Sequence, residues 1–343
     1  MIITGLWLQH FRNISDHTWS FEPGLNVFTA PNGSGKSNLI ESLALLSTGQ
    51  SWRAKQTDEL IEWDEELARV MAKFQDEKGD ETKLEQLFTH GILQGKKTNK
   101  RLYRVNGVSR RASDATGQLL TVVFTPEDME LFQSGGTARR HLLDTLLDQV
   151  SIEYRRARKN YDKALRRRNR LLRALREGEA QRQDFFYWDQ LLIDNGEILH
   201  QARAEFLHWL DQQPGFKEEY QVEYDHSIIS EERIKKYERA ELSTGYTLVG
   251  PHKDDVIVRV KRGSEWRDIE RYGSRGEQRL ALAWWKLSEV QYIEQKRQEL
   301  PVLLLDDVFS ELDEMNQELI QDAATRSQAI ITTVEEGYPS LFE

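Results

Sequence analysis

The sequence predicts an α/β fold in which a parallel sheet surrounds a glycine-rich loop and a long helical arm interrupts the chain. Three observations predict it. A short apolar strand, Leu25 to Thr29, runs into the turn Ala30-Pro31-Asn32-Gly33-Ser34-Gly35-Lys36-Ser37 and then into helical spacing. The last third alternates helix, strand, helix and strand, the pattern of parallel βα units. Between these segments, Tyr154 to Arg176 holds eleven Lys or Arg, one acid and a heptad pattern.

Composition sets the bounds. A chain of 343 residues is too long for one ordinary core and suggests two domains or lobes. Hydrophobic residues make up 38% and charged residues 30%, a surface-rich composition with enough apolar residues for a sizeable core. There is no cysteine, which excludes disulfides and thiolate zinc sites. No run of about 18 apolar residues marks a membrane span. The start, Met1-Ile2-Ile3-Thr4-Gly5, lacks the basic-then-apolar order of a signal peptide, so a cytoplasmic location is expected. The net charge of -10 alone speaks against nucleic acid, but such binding depends on local charge, which here is uneven.

Ile2 to Leu8 alternates apolar and polar residues as a strand, and Trp19 to Phe21 can pair with it. Ser37 to Leu46 places Leu39, Ile40, Leu43 and Leu46 on one helical face. Residues 66 to 124 read as strands, with Asn106-Gly107 as a hairpin turn and Thr121 to Phe124 as a buried strand. In the basic segment, Ala157, Tyr161, Ala164, Arg168, Leu171 and Leu175 form a heptad seam with one basic interruption. Gly178 turns the chain into a returning helix, Asp184 to about Leu210, stopped by Gln212-Gln213-Pro214-Gly215. Val222 to Tyr224 and Val256 to Val260 are strands. Helix Gly276 to Gln295, strand Val302 to Leu305, helix Met315 to Ala323 and strand Ala329 to Val334 complete the chain.

The glycine-rich turn carries the clearest chemistry. Its strand–loop–helix setting is what a P-loop requires. Backbone N–H groups of Asn32, Gly33, Ser34 and Gly35 can curl around phosphate oxygens at the helix N-terminus. Lys36 would reach the β- and γ-phosphates, and the Ser37 hydroxyl would ligate Mg²⁺. The usual first glycine is replaced by Ala30, which tolerates most but not every positive φ. The competing reading is a chance turn before a helix.

Val302 to Asp307 is an apolar strand ending in two acids, which resembles a Walker B motif. Asp306 would hold Mg²⁺ directly or through water, and Asp307 would orient or deprotonate the attacking water. Upstream, Gly273-Ser274-Arg275-Gly276-Glu277-Gln278 resembles the signature motif of ABC-type ATPases. In that class the helix N-terminus, with Ser274, Gly276 and Gln278, contacts the γ-phosphate held by a partner copy, so the site closes only in a homodimer. Alone it reads as an ordinary N-cap. Ser310-Glu311-Leu312-Asp313 resembles the D-loop of the same class, and Thr333 stands where a switch histidine is common.

These motifs and several longer stretches resemble the RecF family. The further stretches are Phe11-Arg12-Asn13, Lys36-Ser37-Asn38-Leu39-Ile40-Glu41, Phe124-Thr125-Pro126-Glu127-Asp128, Gly250-Pro251-His252-Lys253-Asp254-Asp255 and Asp306-Asp307-Val308-Phe309-Ser310. The resemblance implies an α/β fold: a P-loop ABC-type, SMC-like ATPase head with an inserted α-helical coiled-coil arm. It implies ATP and Mg²⁺ as cofactors, ATP-dependent dimerisation, binding of double-stranded DNA, slow hydrolysis, and work with RecR and RecO at gaps where RecA is loaded. It also implies nucleotide contact by Asn38, and by Arg12 near the base or ribose. The expected partition is a head lobe over 1–136, a helical arm over 137–240 and a second head lobe over 241–343.

The eleven cations would repel one another without an anion or acidic surface nearby, which suits a DNA backbone. The alternative is a solvated face offset by acids elsewhere. Rival classes fit less well. Transport ATPases carry no basic hairpin between P-loop and signature, and the overcoming-lysogenization-defect nucleases need a further acidic metal-binding domain. An ABC- or SMC-type scaffold that binds ATP without hydrolysis remains the alternative, on account of Ala30 and the missing histidine.

Overall fold

The structure is a computed structural model and describes residues 1–31, 33–308 and 314–334. The chain divides into two compact units, residues 1–130 with 279–343 and residues 131–278.

In chain order the first unit opens with strands β1 (Ile2–Phe11), β2 (Ile14–Ser20) and β3 (Leu25–Thr29), then helix α1 (Lys36–Thr48). Strands β4 (Leu67–Gln75) and β5 (Glu81–Thr89) follow, then a small hairpin of β6 (Ile92–Leu93) and β7 (Lys96–Lys97). After them come β8 (Arg101–Val105), β9 (Val108–Arg110), the single turn α2 (Ala112–Ala115) and β10 (Thr121–Phe124). The second unit holds α3 (Gly136–Val150), α4 (Ile152–Arg176), α5 (Phe186–Asp211), β11 (Tyr220–Asp225), α6 (Glu231–Thr244), β12 (Asp255–Arg262), β13 (Glu265–Asp268) and α7 (Ile269–Tyr272). The unit boundary falls within α8 (Arg275–Arg297). Strand β14 (Val302–Asp306), helix α9 (Glu314–Arg326) and strand β15 (Ala329–Thr333) return to the first unit. Among the described residues no helix is long and apolar enough to cross a membrane.

Two sheets form the first unit. One is antiparallel, in the order β2-β1-β4-β5-β8-β9. Its hairpin β8–β9 turns at Asn106-Gly107, where both residues have positive φ, as a primed turn demands. The other sheet runs β10-β14-β15-β3, and all its pairs are parallel. Helix α1 is buried on every side from Asn38 to Thr48. Its leucines share one core with Ile3, Leu6, Val70 and Phe88 of the first sheet and Leu304 and Ile330 of the second. A helix buried all round needs such a place between two layers, and its buried polar side chains are partnered, Glu41 by Arg12 and Ser42 by the Leu39 carbonyl. Trp284 and Trp285 of α8 are also fully buried in this unit, which accounts for part of the high Trp content.

In the second unit α4 and α5 pack as an antiparallel hairpin turned at Gly178 (φ 79). The buried seam of α4 is Tyr154, Ala157, Tyr161, Ala164, Arg168 and Leu172. It departs from the expected heptad at its end, where Leu172 replaces Leu171 and Leu175. A straight helix drifts away from a 3.5-residue repeat in this way. The basic interruption is satisfied internally. Arg168 donates to Asp189 (2.6 Å) and pairs with the fully buried Glu241 of α6 (2.7 Å). Helix α6 itself is absent from the sequence reading, although Ser230 caps it by accepting from the Arg233 N–H and acids fill its first turn.

The Gly250 to Asp255 stretch locks this unit together. Arg203 of α5 donates to Asp254 (2.9 Å), Asp144 (2.7 Å) and the Pro251 carbonyl (2.8 Å), and Tyr154 donates to Asp144 (2.5 Å). Arg139 makes a bidentate pair with Asp255 (2.8 and 2.9 Å). Gly250 has φ 120, and a Cβ there would lie 2.3 Å from the Tyr161 hydroxyl. That hydroxyl donates to His252 Nδ1 (2.7 Å), while His252 Nε2 donates to the Thr247 carbonyl (3.0 Å). The ring is therefore held neutral, and burial pushes its pKa down to about 4 from 6.5.

With its folded pKa below the unfolded one, the unfolded chain takes up this proton first as pH falls. The stabilising effect of His252 is thus complete above about pH 6.5 and is lost towards pH 4. Chemical unfolding should show the gap between wild type and His252→Gln, which keeps both hydrogen bonds without titrating, move against wild type by on the order of 2 kcal/mol between pH 7 and pH 4.5. A gap constant across that range would contradict the neutral imidazole.

Candidate active site

Parallel pairing brings the C-terminal ends of β3, β15, β14 and β10 to one sheet edge. Thr29 lies beside Thr333, Thr332 beside Asp306, and Leu305 beside Phe124. Ligands of open α/β sheets bind at such edges.

The loop after β3 is shaped by Gly33 (φ 82) and Gly35 (φ 97), and Gly35 directly precedes the first turn of α1. Side-chain-bearing residues rarely adopt this region. Ala30 is not in it, and its N–H reaches the Thr333 carbonyl (3.3 Å), so the missing first glycine costs the loop nothing in backbone strain. The Lys36 ammonium curls back onto the carbonyls of Ala30 and Pro31, the latter at 3.0 Å. Asn32 lies outside the described residues, as does the Ser310 to Asp313 stretch.

Asp306 is 4% exposed at the end of β14. Burial raises the pKa of its carboxyl, while hydrogen bonds from Thr332 (2.9 Å) and the Ser37 hydroxyl oppose the rise. Asp307 follows with φ 52, its N–H donating to the Thr332 carbonyl (2.9 Å). Left-handed backbone at a non-glycine residue is uncommon, and Asp tolerates it better than most. The Thr332 hydroxyl donates to Asp306, and the carbonyl of the buried Thr333 accepts from the Ala30 N–H.

A cleft of about 420 Å³ opens here, whose lining includes Arg12, Asn13, Gly33, Gly35, Lys36, Ser37, Asn38 and Asp307. The Phe11-Arg12-Asn13 segment braces it. Arg12 forks onto the fully buried Glu41 of α1 (2.6 and 3.1 Å), and Asn13 donates to the Gly33 carbonyl (3.3 Å). Asn38 donates to Asn13 (2.5 Å) and accepts from Arg53 (2.8 Å). Arg53, Glu59, Ile61 and Trp63 also line the cleft and were missed in the sequence, because they belong to no phosphate motif.

Ser274, Gly276 and Gln278 belong to the second unit, whereas all residues lining the cleft belong to the first. Ser274 caps α8 in a reciprocal capping box: its N–H donates to Glu277 (2.7 Å) and its hydroxyl accepts from the Glu277 N–H (3.3 Å). Gln278 is buried, donates to the Ile269 carbonyl (3.0 Å) and accepts from Gln133 (2.9 Å), so its amide shapes the turn before the helix. Gly276 has open space where a Cβ would stand. The Thr125-Pro126-Glu127-Asp128 stretch is a turn at the end of β10: Asp128 accepts from the Thr125 N–H (2.9 Å) and faces Lys286 (3.4 Å).

A glycine loop between strand and helix, two acids ending a neighbouring parallel strand and a capped signature helix define a P-loop ATPase head of the ABC and SMC class. The RecF/RecN/SMC N terminal domain model matches residues 2–341. A crystal structure of the SmcHead bound to the C-winged helix domain of ScpA shares the fold, with a TM-score of 0.50 at 17% identity over 98% of this chain and 91% of that one. The DNA replication and repair protein RecF of Halothermothrix orenii is 33% identical over 360 residues, covering 98% of this chain and 92% of the relative. That of Halalkalibacterium halodurans is 34% identical over 359 residues, covering 97% and 92%. A structure of the recombination mediator protein RecF with ATP in the RecFOR pathway superposes with a TM-score of 0.87 at 28% identity, covering 98% and 93%. The chain belongs to the RecF family.

The Arg12–Glu41 pair is expected to hold the cleft's wall. Replacing Glu41 by Leu leaves Arg12 without its partner and should cost about 3 kcal/mol in chemical unfolding, whereas the double replacement Arg12→Met with Glu41→Leu should recover much of the loss. Additive losses would show that the two residues act separately.

Proposed function

We propose that this chain is a RecF-type ATPase of DNA repair and recombination, in which ATP binding pairs two copies and so gates their grip on double-stranded DNA. Hydrolysis then releases them. The observation that carries this reading is the meeting of Ser37 and Asp306 at one sheet edge, beside Lys36 and Asp307, in a chain of the RecF family.

The residues divide the work. The N–H groups of the loop from Asn32 to Gly35 and the N-terminus of α1 receive the phosphates. Lys36 exchanges the carbonyls of Ala30 and Pro31 for phosphate oxygens. Asp307, fixed by its own N–H, accepts a proton or a hydrogen bond from the attacking water. Asn38 and Arg12 keep the loop in place from behind. The donors Ser37 and Asp306 are hard oxygen ligands already within hydrogen-bond contact, a set that suits magnesium. Magnesium bound there would neutralise charge on the phosphate oxygens. Ser274 and the N-terminus of α8, with Gly276 open and Gln278 holding the turn, supply the second anion site that a partner copy lays over the γ-phosphate. Residues 137–240 serve as the arm, and residues 1–136 and 241–343 as the lobes of the head.

The arm also supports the DNA part. Arg155, Arg158, Arg168, Arg173 and Arg176 of α4 have local partners. Lys159, Lys163, Arg166 and Arg170 are exposed, follow a 4-3-4 spacing on one face and make no salt bridge among the described residues. A stripe of free cations can track a phosphate backbone without reading sequence. RecR and RecO, and gaps where RecA loads, are the proposed setting.

Lys36→Met and Asp307→Asn should each lower ATP turnover by at least about a hundredfold, with Asp307→Asn retaining ATP binding. Turnover unchanged in both would leave a non-hydrolysing scaffold. Changing Lys159, Lys163, Arg166 and Arg170 together to Gln should flatten the slope of log affinity for duplex DNA against log salt by about 3. An unchanged slope would place the DNA elsewhere.

A further inference from the structure

Trp63 has no part in the phosphate chemistry of the cleft that it lines. Trp63 lines the same cleft as Lys36 and Ser37, yet it is 91% exposed. Trp284 and Trp285, by contrast, are fully buried. An indole held in water contributes nothing to a core, and an aromatic face free on both sides is what a flat ring stacks against.

Trp63 is not placed loosely. The segment before it is stitched to the end of β1: the Arg12 N–H donates to the Leu60 carbonyl (3.1 Å), and the Glu62 N–H donates to the His10 carbonyl (2.9 Å). The Glu62 carboxylate is gripped by Ser15 (2.5 Å) and His10 (2.9 Å). A turn then closes from the Glu65 N–H to the Glu62 carbonyl (3.2 Å), with Trp63 at its first central position and Asp64 (φ 67) at its second. The indole therefore stands at the tip of a fixed turn. The buried Ile61 adds apolar surface to the cleft's lining. Glycines, a cation and a hydroxyl line the same cleft beside them.

We propose that Trp63 is the base-stacking platform of the nucleotide site, receiving the purine ring of the triphosphate whose phosphates lie on the Lys36 loop. This rests on the ATP-binding reading above and names the group that holds the nucleoside half of the ligand. Stacking recognises any flat base face, so Trp63 supplies affinity for nucleosides and little discrimination between adenine and guanine. Because the loop is anchored independently of the indole, truncating the side chain leaves the phosphate end intact.

Calorimetric titration of wild type, Trp63→Ala, Trp63→Phe and Lys36→Ala with ATP and with inorganic tripolyphosphate separates the possibilities. Trp63→Ala should lose roughly tenfold in affinity for ATP and none for tripolyphosphate, with Trp63→Phe recovering most of the loss. Lys36→Ala should lose both ligands. Unchanged ATP affinity in Trp63→Ala would overturn the stacking role while leaving the phosphate site standing. Equal losses for ATP and tripolyphosphate would overturn it too, making Trp63 a support of the loop. Wild type that binds neither ligand would bring down the nucleotide reading and this inference with it.

Discussion

Parallel pairing of β15 with both β3 and β14 is the constraint on which the rest of the first unit depends. Strand β3 is far from the other two in the chain, and this pairing sets the glycine loop after β3 beside the acids that end β14. It also sets the register. Asp306 faces Thr332 across the ladder, which places the Thr332 hydroxyl 2.9 Å from its carboxylate. A slip of one residue would turn Asp306 to the other face of the sheet and break its contact with Ser37. Helix α1, buried on all sides between the two sheets, holds the loop at its N-terminus against that edge.

Much of this was legible in the sequence, and the reasons differ by element. Strands β3 and β10 are short apolar runs bounded by turn residues, so their limits, Leu25–Thr29 and Thr121–Phe124, were readable directly. The P-loop and the acids of β14 declare themselves because phosphate chemistry tolerates few alternatives. Helix α6 was not seen: its surface is mostly charged, and charged or polar contacts tie it to the arm, Glu241 to Arg168, Glu238 to Arg182 and the Ser243 carbonyl to Arg176. Trp63 and Arg53 were invisible for another reason. They enter the cleft from a loop, and no periodicity points from a loop to a site fixed by other strands.

Stretches that single out the RecF family divide into chemistry and support. Asp307 lines the cleft, and Asp306 is hydrogen-bonded to Ser37, which also lines it. Gly250 to Asp255 does something different: it supplies the carboxylates and carbonyls that take up Arg203, Arg139 and Arg140 in the second unit. Buried charges are tolerable only when fully partnered, and the two acids of this stretch with Asp144 provide that. On α4, Arg155, Arg158, Arg168, Arg173 and Arg176 are partnered nearby and Arg167 lies over Trp188, while the Lys159 to Arg170 stripe is exposed on the outer face.

On the proposed function, a second copy of the chain brings the capped N-terminus of its α8 to the phosphates held by the Lys36 loop. The most direct measurement is the mass of the Asp307→Asn chain in solution by light scattering, with and without ATP, alone and with Ser274→Arg added. The expected result is a mass of two chains with ATP, falling to one chain when Ser274→Arg is present although nucleotide is still bound. A single-chain mass with ATP bound to the Asp307→Asn protein would contradict the shared site.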